Sequence, residues 1–195
     1  MLLALGMVAW GMSLTVSLYA QQVLGYSALE FGLGTAAMTV MAGAGSAAGQ
    51  AFTTRIGPRA VAATGLLLTG VGCVLLTQVS VGGSYLADIF AGLVVFGPGL
   101  GAGSVAASIA ALAGVADAES GLASALNTAS FQIGGALGTA VVTTVAVSHT
   151  RGPDRLSALT EGFQWAFAAA GVCAALGVAL AFTLGRTRLI ESSAC

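Results

Sequence analysis

The 6 basic and 7 acidic residues of this chain stand at the edges of six apolar stretches, and that placement constrains the fold more than any other feature. The stretches run approximately Leu2–Ala20, Leu29–Ala51, Ala60–Val79, Tyr85–Ala113, Leu122–Ser148 and Gly162–Leu184. A bilayer core of roughly 30 Å takes about 20 apolar residues per helix. A charge at its centre costs about 2.5–3.5 kcal/mol on insertion scales. Continuous apolar runs exclude a membrane barrel, whose strands alternate apolar and polar residues. The fold class expected is therefore an all-α membrane protein of six transmembrane helices. The six-helix bundle covers residues 1–185, and 186–195 is a cytoplasmic tail.

Composition closes the other routes. Charged residues are 7% of the 195, where soluble domains carry about a quarter, so the chain has too little polar surface for a soluble enzyme. A net charge of -1 leaves no electrostatic footprint for nucleic acid. Hydrophobicity of 57% excludes disorder. The first partner implied is the lipid bilayer, and no cofactor or metal is expected. Cys73, Cys173 and Cys195 have no paired spacing and read as inert thiols.

Sidedness rests on Arg, because there is no Lys. With the N-terminus cytoplasmic, Arg55, Arg59, Arg186 and Arg188 fall inside and Arg151 and Arg155 outside, an excess that places both termini in the cytoplasm. Heavy use of Ala, Gly and Val without Lys points to a GC-rich bacterial genome, hence a multi-pass protein of the bacterial inner (plasma) membrane. No basic leader precedes the apolar run at Leu2, so a signal peptide is not expected and the chain reads as if it begins inside a longer protein.

Local signals refine this picture. Ser27-Ala28-Leu29-Glu30 has capping-box spacing. Asp88 follows a plausible cap at Ser84. It has two readings: a carboxylate favoured by the helix dipole, or a proton-titrating group facing a wet cavity. Gly45/Gly49, Gly97/Gly101, Gly99/Gly103 and Gly134/Gly138 are G-x-x-x-G pairs that let helix backbones approach closely. Pro98 within the Gly97–Gly103 cluster removes a backbone donor and is expected to kink its helix. Polar faces run along Ser13, Ser17 and Gln21, and along Asn127 and Ser130 with Gln132 on a neighbouring face. Asn127 and Gln132 are the costliest of these in lipid and are expected to face protein or water. Trp10 reads as packing. The single histidine, His149, falls at the opposite end of the spans from Ser46 and Ser104, so neither serine can pair with it and an intramembrane enzyme is not expected.

Three segments together resemble a known family. They are Tyr19-Ala20-Gln21-Gln22-Val23-Leu24-Gly25-Tyr26-Ser27-Ala28-Leu29; Arg55-Ile56-Gly57-Pro58-Arg59; and Gly121-Leu122-Ala123-Ser124-Ala125-Leu126-Asn127 followed by Gln132-Ile133-Gly134-Gly135-Ala136-Leu137-Gly138. In order and spacing they resemble the C-terminal half of major facilitator superfamily transporters, in particular the fourteen-helix drug–proton antiporters. The resemblance implies one six-helix half of a two-bundle fold that works by rocking one bundle against the other. It implies a small amphipathic substrate, and as partner an N-terminal six- to eight-helix half or a second membrane subunit. Arg55, Gly57 and Arg59 match the family's cytoplasmic loop motif, while Gln50, Thr54 and Pro58 depart from it. The resemblance also makes Ser13, Ser17 and Gln21 candidates to line the cavity, and Gly134, Gly135 and Gly138 the pivot of the fifth helix. The family's main coupling acids lie in the other half, so proton-coupled efflux is expected to need it. The alternative from a different class is a non-transporting six-helix scaffold or assembly subunit.

Overall fold

Glycine decides which helices in this protein touch. In a computed structural model describing residues 1–192, with side chains through Ala181, the apolar stretches form six helices: α1 (Leu2–Gln22), α2 (Ala28–Ile56), α3 (Pro58–Leu76), α4 (Tyr85–Leu112), α5 (Ser120–His149) and α6 (Arg155–Ser192). All six are long and apolar enough to cross a membrane. The tail 186–195, with Arg186, Arg188 and Cys195, lies outside the residues whose side chains are described.

The ends follow local chemistry. Ser27 Oγ accepts from Glu30 N–H while the Ser27 N–H donates to Glu30 Oε2, the reciprocal box that starts α2. Gly57 ends α2 and precedes α3 at φ 86°, a left-handed conformation a side chain would strain, and Pro58 occupies the first position of α3, where its missing N–H is not needed. Helix α6 begins at Arg155, seven residues before the apolar run at Gly162. Asp154 caps it, accepting from Ser157 N–H at 3.1 Å, and the charged Arg155 and Glu161 of its first turns lie exposed. Counting from charges alone cuts this helix short.

Helices α2, α4, α1 and α5 form a front layer in that order, and α3 and α6 lie behind it. Helix α4 packs on α2 and α3, and α1 packs on α5 and α6. Exchanging α1–α2–α3 for α4–α5–α6 reproduces these pairings. The glycines show the same symmetry in register. A Cβ built on Gly45 or Gly49 of α2 would come within 2.4 Å of Pro98 or 2.7 Å of Ala102 on α4. One built on Gly134 or Gly138 of α5 would come within 2.1 Å of Leu3 or Met7 on α1.

The interleaved pairs on α4 serve two neighbours. Gly97 and Gly101 meet Met38 and Ala42 of α2, while Gly99 and Gly103 meet the Gly65–Thr69 stretch of α3. Residues two apart point to nearly opposite sides of a helix, so the two frames let α4 pack closely on α2 and α3 at once. Helix α4 stays helical through Pro98.

The core comes mainly from α1, α3, α4 and α6, through Leu5, Val8, Met12, Leu66, Leu76, Phe96 and Phe167, all at most 1% exposed. By contrast, α2 buries Gly45 and Gly49, and α5 buries Gly134, Gly135, Gly138 and Val142. These two edge helices leave Leu29, Leu33, Leu122 and Leu126 at least 60% exposed.

Candidate functional site

The front layer carries the polar residues not consumed by packing. On α1, Ser13 and Gln21 are exposed and Ser17 half-buried. Gln21 Nε2 donates to Ser17 Oγ at 2.9 Å. Trp10 stands one turn from Ser13 on the same face and is 50% exposed. Its indole lies over Gly135 of α5, where a Cβ would come 2.3 Å from Trp10 Cδ1. Trp10, Gln132, Gly135, Ala136 and Thr139 line a depression of about 340 Å³ between α1 and α5. Sequence reasoning assigns Trp10 to packing; the structure places it half in the open. The available signal was its three-residue spacing from Ser13, combined with a glycine in the facing helix to make room.

Asn127 and Ser130 belong to a different place. They line a cleft of about 330 Å³ with Met1, Leu2 and Leu3, at the end of the bundle where the chain starts. Asn127 Nδ2 donates to Ser108 Oγ at 3.1 Å, joining α5 to α4. Ser130 Oγ donates to the Leu126 carbonyl of its own helix at 2.8 Å. The six candidate lining residues thus form two groups, one along α1 and Gln132, one at the Met1 end.

Arg55 and Arg59 are exposed on either side of Gly57, also at the Met1 end. The turn and the end of α4, at Ala110 and Ala113, border a cavity of about 340 Å³ that Arg59 lines.

Asp88 lies at the opposite end, where α1 finishes and α4 begins. The Tyr19 hydroxyl is 2.7 Å from the Ser80 carbonyl and 2.8 Å from Asp88 Oδ2, so its single proton is shared between two acceptors. Ser80 N–H donates to the same Oδ2 at 2.8 Å and Ser80 Oγ at 3.2 Å. The Tyr19 ring meets Phe163 of α6 edge-on at 6.1 Å. A Cβ on Gly83 would fall 1.7 Å from Asp88 Oδ2, so any larger residue there would displace the carboxylate. Neither Gly83 nor Tyr19 is recognisable from spacing, since the contact spans 69 residues.

His149, at this same end, stacks on Trp165 of α6 with centroids 4.7 Å apart. Among the described residues, no group of three or more His, Cys, Asp or Glu is placed to hold a metal ion.

The profile of the Major Facilitator Superfamily matches residues 1–193. The chain is similar to a protein described as the uncharacterized MFS-type transporter EfpA, found in two strains of Mycobacterium tuberculosis, CDC 1551 / Oshkosh and ATCC 25618 / H37Rv. Identity is 29% over 199 aligned positions, covering 93% of this chain and 38% of each relative. The chain therefore spans less than two fifths of the length of the curated relatives it matches.

Proposed function

The chain belongs to the major facilitator superfamily of membrane transporters, and from that premise we propose that it forms the C-terminal six-helix half of a proton-coupled multidrug or small-molecule efflux transporter working by alternating access. In this reading α1 lines the translocation path. Ser13, Ser17 and Gln21 offer hydrogen bonds to a small amphipathic substrate and Trp10 an aromatic face, with Gln132 across the groove.

The observation that supports the reading best is the state of the front layer. Buried polar groups need partners, yet α1 leaves an amide, a hydroxyl and an indole on the face that α3 and α6 do not cover. The flanking edge helices α2 and α5 bury little but glycine toward α4 and α1. A layer with an open polar middle and under-buried walls suits one side of a cavity, closed by a second bundle. A scaffold would need stable contact along that face and has no use for the polar stripe.

The reading takes the Met1 end as cytoplasmic, which Arg55 and Arg59 at the α2–α3 turn support through the positive-inside rule. The tight Gly57–Pro58 turn would then face the cytoplasmic side of the partner bundle. Asn127 and Ser130 lie at that end, as a polar vestibule. Proton coupling is assigned to the other half, because Asp88 is engaged by Tyr19 and Ser80. The reading is tested by reconstituting the chain alone and joined to the N-terminal half of a relative, under an imposed pH gradient. Efflux by the joined protein and none by the single bundle is expected.

A further inference from the structure

Helix α4 does not begin as an α-helix. Residues Tyr85–Phe90 form a π-helical segment of six residues that passes into α geometry at Ala91. Such segments are rare, appear mostly as single turns within α-helices, and are frequent at functional sites.

Two contacts leave the segment toward different neighbours. Tyr85 Oη donates to the Gly34 carbonyl of α2, and its ring lies over Gly34, where a Cβ would come 2.7 Å from Cε2. Asp88 accepts from Tyr19 of α1 and from Ser80. In the front layer α4 stands between α2 and α1, so the two grips pull toward opposite flanks. In an α-turn, residues three apart share one face. Here Tyr85 reaches one flank while Asp88 reaches the other, and the Asp88 N–H also donates to the Ser84 carbonyl at 2.9 Å. Tyr26 Oη accepts from Tyr85 N–H at 3.2 Å, filling one of the free donors of this first turn.

We propose that this end of α4 is a latched π turn: Tyr85 and Asp88 are positioning residues that hold it open between α2 and α1, and release of either grip lets 85–90 relax to α geometry. Relaxation removes one residue of slack, turning the outermost turn by up to roughly 100° relative to the rest of the helix. The latch bridges the two three-helix repeats, since Tyr19 belongs to the first and Asp88 to the second. It is therefore a built-in point at which the repeats can change their relation. This inference does not depend on the transport reading.

The test uses spin labels on the full chain in lipid nanodiscs. Leu86→Cys and Leu29→Cys, in a background with Cys73, Cys173 and Cys195 replaced, place labels at positions 72% and 74% exposed. A control pair, Val71→Cys and Leu176→Cys, reports on α3 and α6 behind the layer. One distance is expected for the parent. Tyr19→Phe, Asp88→Ala and Tyr85→Phe should each add a displaced population between 86 and 29 while the control pair stays unchanged. An unchanged 86–29 distance in all three variants would overturn the proposal. So would a shift of the control pair alongside it, which would mean general loosening in place of a local latch.

Discussion

The Tyr19 hydroxyl stands 2.8 Å from Asp88 Oδ2 and joins the last turn of α1 to the first turn of α4. A hydrogen bond to a charged group contributes about 1.5–3 kcal/mol net. Tyr19→Phe removes the donor and keeps the ring against Phe163, so thermal unfolding in detergent should show a loss in that range. Gly83→Ala should cost at least as much, because its methyl would occupy the position of the carboxylate oxygen. Unaltered melting of both variants would show that the network is incidental.

The glycine frames predict opposite signs for substitutions of the same kind. Gly134→Ala and Gly138→Ala push a methyl into the α1 backbone, and Gly45→Ala into Pro98, each costing roughly 1–3 kcal/mol. Gly43 on α2 has no neighbour within 4 Å. Gly43→Ala should be neutral or stabilising by up to about 1 kcal/mol through helix propensity. Urea or thermal melts of the four variants decide the point. If Gly43→Ala leaves stability intact but abolishes transport in the joined protein, Gly43 faces the other bundle.

The capping box gives a local prediction. Ser27→Ala removes the acceptor for Glu30 N–H and should cost about 0.5–2 kcal/mol. Amide exchange should rise in residues 28–31 and stay unchanged beyond the second turn of α2.

Much of this architecture is legible in the sequence because lipid makes the rules severe. Spans follow from where charges cannot go, and the G-x-x-x-G pairs mark close approaches before any partner helix is known. Which helix each pair meets is not legible: nothing in Gly97-Pro98-Gly99 says that alternate residues face α2 and α3. The π turn at Tyr85 is hidden for the same reason, since it is imposed by grips from Gly34 and Tyr19 on other helices. The start of α6 is hidden in the sequence because Arg155 and Glu161 read as loop residues, whereas Asp154 caps the helix through Ser157. The polar stripe Ser13–Ser17–Gln21 could be read from spacing alone. Its meeting with Gln132 through Trp10 and Gly135 required the fold.

Asp154, in the connection before α6, gives a pH prediction. Bonds from the Ser157 hydroxyl and N–H hold its carboxyl below the ordinary value of 3.8. A lowered folded value means the cap contributes above the unfolded pKa and is lost as pH falls through the folded one. The first turn of α6 should therefore be protected at neutral pH and exchange faster only in strong acid. Asp154→Asn should flatten that dependence; an unchanged acid profile would contradict the assignment.

In the proposed transporter the α1 stripe lines a path completed by a second bundle. The most direct measurement is efflux of a fluorescent amphipathic cation from proteoliposomes under a pH gradient, for the chain joined to the N-terminal half of a relative. Efflux by the joined protein and none by the chain alone is expected. Ser13→Leu and Gln21→Leu should lower efflux roughly tenfold, equivalent to about 1.4 kcal/mol, without changing the melting temperature. Comparable efflux by the single bundle, or joined-protein activity indifferent to both substitutions, would contradict this reading.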